Sequence, residues 1–390
     1  MTVLELDERL RALRGAAAET APELRALAPA LDAAPHDLKP HLGAAAFDLI
    51  RRCTTPQRFG GDPLRVGRFA FSAGSSLETL VWMLELAHGD AGMVLAAPGP
   101  NLAGLLVDQL GDEQQQEYFY RAVADRGAWT FFAVTEPDRG SDAGAMESKL
   151  ERAAPERGDP ELHLLHGTKK YIGNGARGAL GVVFARTGSG PLSIRAALVD
   201  AAAPGFAAQE LDMVGLRGAA LGEIRFTGVP VPQERLLARH LPPTRRGLWG
   251  AVRVFNTVRP QVAALAVGTG LAFVDLVRAG RPHAPGLEAV AGRLEACRQL
   301  VYQAGAALDL DRDDGRLSSA AKIAAVAAAR EAGRWAVRSL GPAALAEQPL
   351  LEKWTRDMGA FEFMEGTSDI QRLHVARSLV RARGRSGGRP

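Results

Sequence analysis

The chain has 390 residues, 47% of them hydrophobic, and a formal net charge of +3, so it can build a large core and is not intrinsically disordered. Its basic and acidic residues alternate and no apolar run approaches the roughly 18 residues of a membrane span, so neither nucleic-acid binding nor a membrane span is expected. Two cysteines, Cys53 and Cys297, are too few for a disulfide framework, which favours a reducing, cytoplasmic location.

The chain divides into three stretches of different pattern. Residues 1–128 are Leu- and Ala-rich with helical spacing and Pro/Gly breaks, and Gly111 is expected to end one of these helices. Residues 129–238 contain short strand-like runs separated by loops, with a hairpin turn predicted at 155–160. Residues 239–390 are helical again. The sequence therefore predicts an α+β chain with a helix–strand–helix order.

Several common catalytic and cofactor motifs are missing. The match to Gly-x-Gly-x-x-Gly at residues 173–178 leads into a strand-like run and not into a helix, so a dinucleotide-binding fold of the usual kind is not supported. There is no phosphate-binding loop with its lysine and no His-Glu-x-x-His, and the eight histidines are scattered. No metal site is expected.

The first motif that could take part in ligand binding is residues 133–142, Ala-Val-Thr-Glu-Pro-Asp-Arg-Gly-Ser-Asp. A strand is expected to end at Thr135, and Gly140 and Ser141 allow close backbone approach beside a hydroxyl. Successive N–H groups in such a turn can bind an anion. An ordinary strand-to-loop turn explains the same residues equally well.

The second motif is residues 167–175, Gly-Thr-Lys-Lys-Tyr-Ile-Gly-Asn-Gly. Tyr171 and Gly173 alternate along a strand before a turn at Asn174 and Gly175, so an aromatic ring could cover a planar ligand there. Taken alone, a strand followed by a turn is the simpler interpretation.

The third motif is residues 364–372, Met-Glu-Gly-Thr-Ser-Asp-Ile-Gln-Arg. Ser368 and Gln371 have the spacing of a capping box, which predicts a helix start whose N-terminus can stabilise a phosphate or a polarised oxygen. Glu365 follows an apolar stretch, where desolvation is expected to raise the pKa of its carboxyl towards the range of a general base. A structural acid before a helix is the simpler alternative.

Together these motifs resemble the acyl-CoA dehydrogenase family, and the resemblance extends over nearly the whole chain. Its most specific parts are Thr-Glu-Pro-x-x-Gly-Ser-Asp at 135–142 and Glu-Gly-Thr-Ser-x-Ile-Gln-Arg at 365–372. The resemblance implies an N-terminal all-α domain at 1–128, a middle β-barrel-like domain at 129–238 and a C-terminal four-helix bundle at 239–390, with FAD between the last two.

The resemblance also implies roles for individual residues. Family members oxidise an acyl thioester to the 2-enoyl thioester, and Glu365 matches their catalytic base. Positions matching FAD contacts are Phe132, Val134, Thr135, Gly140, Ser141, Tyr171, Gly173, Arg281, Thr367 and Asp369. Positions matching substrate contacts are Ser141, Asn256, Arg259 and Gly366. The chain departs from the family at Gly173, where a Ser or Thr hydroxyl usually serves the flavin, and around Arg281, in a shortened segment that in the family reaches the FAD of the neighbouring subunit.

Partners follow from the same resemblance. The acyl carrier is expected to be coenzyme A or an acyl carrier protein, in fatty acid or polyketide metabolism, with an electron-transfer flavoprotein as acceptor and a homodimer or homotetramer as the assembly. Two alternatives stay open. One is a flavin-dependent monooxygenase of the same fold, which would usually lack the carboxylate at Glu365, and the other is a degenerate, non-catalytic subunit.

Overall fold

Helices at both ends of the chain flank a run of strands in the computed structural model, which describes residues 3–154, 161–190 and 192–386. The N-terminal helices are α1 Glu8–Ala33, α2 Ala45–Thr54, α3 Ser76–Ala96, α4 Asn101–Leu110 and α5 Glu113–Arg126. α4 ends directly before Gly111, which confirms that prediction. A two-stranded hairpin that the sequence did not reveal, β1 Leu64–Val66 and β2 Phe69–Phe71, lies between α2 and α3.

Local capping explains where two of these helices begin. The side chain of Asp7 accepts a hydrogen bond from the backbone N–H of Leu10 at the start of α1. Asp112 and Gln115 form a reciprocal capping box at the start of α5, each side chain bonding the other's backbone N–H. These bonds satisfy amides that have no partner within the helix.

The middle of the chain forms one seven-stranded sheet. Its strands are β3 Thr130–Ala133, β4 Lys149–Arg152, β5 His163–Ile172, β6 Leu180–Arg186, β7 Ile194–Asp200, β8 Phe206–Glu210 and β9 Gly222–Val231. They follow the order β3-β6-β4-β5-β9-β8, and β7 pairs with β6. The predicted turn at 155–160 lies outside the described residues, but the strands on either side, β4 and β5, pair antiparallel with Arg152 opposite His163.

The sheet curls back on itself. Phe131 of β3 and Phe206 of β8 belong to strands at opposite ends of the sheet order, yet their ring centroids are 5.7 Å apart. Phe206 also contacts Phe226 of β9 at 5.7 Å. The aromatic side chains therefore fill the inside of a barrel-like structure, as expected for the middle of the chain.

The C-terminal part is helical. It consists of α6 Leu248–Gly280, α7 Leu287–Leu310, α8 Arg316–Leu340, the short α9 Ala344–Glu347, α10 Pro349–Ala360 and α11 Ser368–Ser386. Helices α6, α7, α8 and α11 pack together, with α8 contacting the other three. This is the arrangement of a helical bundle.

Helix α6 joins the different parts of the protein. Its first turns, with Ala251, Val254 and Val258, share a hydrophobic cluster with α4, α5 and the sheet, while Val262 onward packs into the cluster formed by α1, α3, α7 and α8. The stretch Pro243–Gly280 is the one in the described residues that is long and apolar enough to cross a membrane, and 72% of its most apolar window is buried in the protein. Its apolar character is therefore explained by its central packing.

Candidate active site

A buried ion pair fixes the end of β3. Lys169 of β5 is fully buried, and its ammonium donates to the carbonyl of Val134 and to the carboxylate of Glu136, at 2.9 Å in each case. Glu136 also accepts hydrogen bonds from the backbone N–H groups of Glu147 and Ser148 and from the Ser148 hydroxyl. These bonds join the two ends of segment 137–147, so the intervening loop has fixed ends.

The loop closed by Glu136 presents unpaired hydroxyl groups. Gly140 and Ser141 are exposed and Thr135 is half-buried. Among the described residues, the hydroxyls of Thr135 and Ser141 have no hydrogen-bond partner. Since Thr and Ser hydroxyls both donate and accept, they are available to a ligand that lies over this loop.

Tyr171 lies beside this loop. The backbone N–H of Lys170 donates to the carbonyl of Thr135 at 3.0 Å, which places β5 against the end of β3. Tyr171 has φ 60° and a side chain that is 54% exposed, an unusual combination for an aromatic residue in a strand. A Cβ placed on Gly173 would meet no atom within 4 Å. The predicted turn at Asn174 is confirmed, and its φ is 56°.

Glu365 lies on the turn between α10 and α11 in a left-handed conformation. Its φ is 54°, and that of Gly366 is 95°. The φ of Gly366 is one that residues with a Cβ rarely adopt, which favours glycine there, and a Cβ would also approach the amide nitrogen of Gln371 to 2.8 Å. Within the described chain, neither the carboxylate nor the backbone N–H of Glu365 makes a hydrogen bond, and the carboxylate has no ion-pair partner within 4 Å. Both groups are therefore available to a ligand.

Two buried side chains hold this turn in place. The ammonium of Lys322, on α8, donates to the carbonyls of Glu362, Met364 and Gly366. The amide of Gln371 donates to the carbonyls of Glu365 and Gly366, at 3.0 and 3.1 Å. Carbonyls that a regular helix would pair internally are thus satisfied by side chains, which offsets the cost of the irregular backbone.

Arg259 and Asn256 approach Glu365 from α6. The Arg259 guanidinium donates to the backbone carbonyl of Glu365 at 3.4 Å and to the side-chain oxygen of Asn256 at 3.0 Å. Asn256 in turn donates to the carbonyl of Asp313 at 3.4 Å. Both α6 side chains are buried, so their positions are set by this network.

The electrostatics around Glu365 favour a carboxyl that keeps its proton to a higher pH than an ordinary glutamate does. Desolvation raises the pKa of Glu365 above its ordinary value of 4.5, and the nearby charges of Lys322 and Arg259 oppose part of this rise. Burial lowers the pKa of Lys322 to about 8 and that of Arg259 to about 10. The negative charge of Glu365 opposes this lowering for both groups. Perturbed groups gathered at one site are typical of active sites.

Aromatic contacts connect Glu365 to the sheet. Phe132 of β3 contacts Phe255 of α6 with ring centroids 6.0 Å apart. The guanidinium of Arg259 lies 5.9 Å from the same Phe255 ring and bonds the Glu365 carbonyl. The structure therefore brings the end of β3, the start of α6 and the Glu365 turn to one place.

Other residues that the sequence singles out lie elsewhere or make different contacts. Arg281 directly follows α6, 22 residues after Arg259, which corresponds to about 33 Å along a helix. It is exposed and donates to the carbonyl of Ser339, so its predicted cofactor contact stays a prediction. Asp369 is exposed and pairs with Arg372 at 2.6 Å.

The predicted capping box of Ser368 and Gln371 is wrong in its details. The helix does begin at Ser368, but Thr367 is its cap, because the Thr367 hydroxyl accepts from the N–H of Ile370 at 3.5 Å. The Ser368 hydroxyl instead donates to Glu362 at 2.7 Å. Gln371 is occupied by the Glu365 and Gly366 carbonyls, and its oxygen accepts from Ser319 at 2.9 Å.

Sequence reasoning missed the residues that support the site, chiefly Lys322, Lys169 and Glu136. A lysine within the apolar stretch Ala-Ala-Lys-Ile-Ala-Ala at 320–325 was the available signal for Lys322, since lysine is rarely buried without a partner. Lys169 and Glu136 are far apart in sequence, and nothing in either local pattern indicates that they pair.

Comparison with known proteins gives a consistent result. Residues 131–229 match the model of the acyl-CoA dehydrogenase middle domain, and residues 287–380 match that of the C-terminal domain. An acyl-CoA dehydrogenase of Bacillus subtilis strain 168 is 31% identical over 287 residues, covering 69% of this chain and 73% of that protein. The mitochondrial short-chain specific acyl-CoA dehydrogenase of Rattus norvegicus is 29% identical over 332 residues, covering 80% and 78%.

Solved structures share the fold. The glutaryl-coenzyme A dehydrogenase complex with glutaryl-CoA has a TM-score of 0.83 at 22% identity, covering 97% of both chains. PigA with FAD and proline has a TM-score of 0.81 at 20% identity, covering 97% of this chain and 99% of PigA. The prolyl acyl carrier protein oxidase AnaB has a TM-score of 0.79 at 22% identity, covering 96% and 100%.

The helix–barrel–helix fold and these matches define the class of the protein, a flavoprotein oxidoreductase. More particularly, the chain belongs to the acyl-CoA dehydrogenase family. The expected fold, with helical parts at both ends and a curled sheet between them, is thereby confirmed.

Proposed function

We propose that this protein is an FAD-dependent dehydrogenase that converts an acyl thioester to the 2-enoyl thioester, with Glu365 as the base. The observation that carries the proposal is the Glu365 carboxylate itself. It is free of any ion pair in the described chain, it has a raised pKa, and a fixed turn holds it beside the buried Arg259. A free carboxylate on a rigid support is what proton abstraction requires.

The residues present fit a flavin. Within residues 3–154, 161–190 and 192–386 the hydroxyls of Thr135 and Ser141 have no hydrogen-bond partner, Tyr171 is exposed, and a Cβ on Gly173 would meet no atom within 4 Å. Thr367 caps the start of α11, where helix N–H groups can stabilise a phosphate. Phe132, Val134 and Gly140, on β3 and in the segment that follows it, are the other positions that match flavin contacts of the family. Arg281 and Asp369 stay predicted contacts. The solved complex of PigA with FAD supports a flavin in this fold.

The chain's own residues would carry the proton chemistry. Bound FAD supplies the acceptor for the β-hydride. Glu365 takes the α-proton, and its backbone N–H, which has no partner in the described part of the chain, is available to the thioester oxygen as negative charge develops there. Lys322 and Arg259 favour the ionised form of Glu365, while Gly366, Asn256 and Arg259 border the thioester.

The proposed partners are those that membership of the acyl-CoA dehydrogenase family implies. We propose coenzyme A or an acyl carrier protein as the carrier, an electron-transfer flavoprotein as acceptor, a cytoplasmic location and a homodimer or homotetramer. The fold shared with AnaB, a prolyl acyl carrier protein oxidase, supports including the carrier-protein form. The electron-transferring flavoprotein structure of Acidaminococcus fermentans contains a chain of the same fold, with a TM-score of 0.83.

The test is anaerobic reduction of the bound flavin. Purified protein is mixed with a panel of acyl-CoA and acyl-carrier-protein thioesters, and loss of the flavin absorbance band is followed in time. Reduction without oxygen supports dehydrogenation. Protein that never binds flavin, or flavin that no thioester reduces, would contradict the proposal and favour the non-catalytic alternative, whereas turnover strictly dependent on O2 would favour a monooxygenase.

Glu365→Gln gives the mechanistic arm of this test. The substitution preserves the shape of the side chain and removes its basicity. We expect unchanged flavin content and thioester binding with a rate of flavin reduction lower by about 10²–10⁴. Near-normal reduction in this variant would exclude Glu365 as the base.

A further inference from the structure

A large basic cavity lies on the barrel next to the Ser141 loop. Its volume is about 1090 Å³, and it is bordered by β4, the end of β6 and the segment before α6. Arg186, at the end of β6, reaches from this cavity into the loop, donating to the carbonyls of Met146 at 2.9 Å and of Gly144. The cavity therefore adjoins the loop whose Ser141 matches a substrate contact of the acyl-CoA dehydrogenase family.

Basic side chains outnumber acidic ones among the described residues that line this cavity. Six basic side chains line it, namely Lys149, Arg152, Arg186, Arg195, Arg239 and Arg246, against two glutamates. None of the six has a carboxylate of the described chain within 4 Å. Of the glutamates, Glu147 pairs with Arg139 at 3.2 Å, and Glu151 is exposed. A cavity lined in this way attracts anions.

Three of the arginines form a preorganised group. Arg246 donates to the carbonyls of Leu241 at 2.7 Å and of Arg239 at 3.0 Å, which fixes the segment carrying both arginines. Arg195 of β7 faces them. The one hydrogen bond that its side chain makes in the described chain goes to the carbonyl of Leu237 at 3.4 Å, and its Nε is buried with no partner there.

The arginines repel one another in the absence of a ligand. Burial lowers the pKa of Arg195, and the neighbouring charges of Arg246 and Arg239 lower it further. Holding like charges together around an unsatisfied N–H costs free energy that a bound anion would offset. Guanidinium groups are particularly suited to phosphate because they donate two parallel hydrogen bonds.

We propose that Arg195, Arg239 and Arg246 form a phosphate site that binds the phosphate-bearing end of the thioester's carrier arm. The inference rests on the proposed function and on the substrate contact that the resemblance assigns to Ser141. Phosphate occurs in this arm in two sources, the phosphopantetheine and nucleotide of coenzyme A and the phosphopantetheine of a carrier protein. Both place negative charge at the outer end of an otherwise neutral chain.

The test compares ligands with and without phosphate by calorimetry on the flavin-loaded protein. The ligands are coenzyme A, 4′-phosphopantetheine, holo acyl carrier protein and pantetheine, which lacks phosphate. The variants are Arg195→Met and Arg239→Met, alone and together, because methionine keeps much of the apolar stem. Arg245→Met is the matched control, since Arg245 lies in the same segment and does not line the cavity.

We expect each substitution to weaken the binding of at least one phosphate-bearing ligand roughly tenfold, with pantetheine unaffected and a weaker dependence on salt. If the variants bind 4′-phosphopantetheine more weakly, the phosphate of the arm lies in the site. If they bind only coenzyme A more weakly, the nucleotide lies there. Loss confined to the holo carrier protein identifies the protein-bound arm as the source. Unchanged affinity for every phosphate ligand in the double variant would overturn the proposal.

Acyl-pantetheine separates this inference from the proposed function. Because it lacks phosphate, it should reduce the flavin at the same limiting rate in the wild type and in the double variant. A different result would refute the dehydrogenase and still support the phosphate site. In that result no acyl thioester reduces the wild-type flavin, but the wild type binds phosphate ligands more tightly than the variants do.

Discussion

Lys322 donates hydrogen bonds to the backbone carbonyls on both sides of Glu365. Its single ammonium donates to the carbonyl of the preceding residue, Met364, and of the following residue, Gly366, and reaches Glu362 at 3.3 Å. An ammonium has three N–H donors, so all three are used. The same lysine favours the ionised form of the Glu365 carboxyl. It is a positioning residue that couples the shape of the turn to the charge of the proposed base.

Replacing Lys322 by methionine should therefore change the pH dependence of the reaction as well as its rate. Removing the positive charge leaves desolvation of Glu365 less opposed, so the acid limb of kcat/KM should move to higher pH. The rate at neutral pH should fall about tenfold or more, because the turn loses three hydrogen bonds. The measurement is the pH profile of anaerobic flavin reduction.

Arg330→Met on the same helix is the matched control, because Arg330 is exposed and lies eight residues further along α8, about 12 Å from Lys322 along the helix axis. It should leave both rate and profile unchanged. A purely structural role for Lys322 would lower the rate or the folded fraction without moving the acid limb, and that result would contradict the coupling.

The wild-type enzyme should itself lose activity as the pH falls through a raised pKa. Burial raises the pKa of Glu365 above 4.5, and proton abstraction needs the carboxylate. The rate of flavin reduction should thus be constant at higher pH and decline below a midpoint above 4.5. Stopped-flow measurements at saturating thioester would show this limb, and the slow residual reduction in Glu365→Gln should lack it. A midpoint at or below 4.5 would mean that Glu365 is not desolvated.

Much of the fold and part of the site could be predicted from sequence, for local reasons. Gly111 ends α4 because the signal that stops a helix lies in adjacent residues. Glu365, Gly366 and the α11 start were likewise visible in one short motif. The residue that caps α11, however, is Thr367 and not Ser368. Ser368 hydrogen-bonds Glu362 instead, and Gln371 hydrogen-bonds the backbone of the Glu365 turn.

The supporting contacts could not be predicted, because they join residues that are distant in the chain. Asp90 illustrates this. It lies in the hydrophobic helix α3 with non-helical dihedral angles, and it is fully buried. Its carboxylate pairs with Lys353 at 2.7 Å and accepts from Trp354 at 3.0 Å, some 260 residues later. No local pattern around Asp90 specifies such partners.

Gly173 offers a gain-of-binding prediction. The resemblance leads us to expect a hydroxyl at this position in the family, and a Cβ here would meet nothing within 4 Å. Gly173→Ser should therefore fold normally and add a hydrogen bond to the flavin, tightening FAD binding by about 0.5–1.5 kcal/mol. The measurement is the FAD dissociation constant obtained by titrating apoprotein.

Gly190→Ser is the control for the Gly173 substitution, because a Cβ at Gly190 is equally unobstructed but Gly190 lies in the loop after β6. Its FAD affinity should equal that of the wild type. Equal affinity in Gly173→Ser as well would show that no flavin hydrogen-bonding group lies within reach of residue 173.

The Lys169–Glu136 pair provides a prediction about stability. Both side chains are buried and 2.9 Å apart. Burial alone would raise the pKa of Glu136, but Lys169 and the hydrogen bonds from Ser148 and Glu147 outweigh it and lower the pKa. Lys169→Met would leave that carboxylate buried without its cation. We expect a loss of about 3–5 kcal/mol in the free energy of unfolding, measured with denaturant.

A second substitution tests whether the loss comes from the unpaired charge. Adding Glu136→Gln to Lys169→Met removes the buried charge while keeping one oxygen that can accept from Ser148, so the double variant should recover much of the lost stability. If the two substitutions were simply additive, the lysine would act through packing alone. Because the pair also closes the Ser141 loop, Lys169→Met should weaken FAD binding even at temperatures where the protein is fully folded.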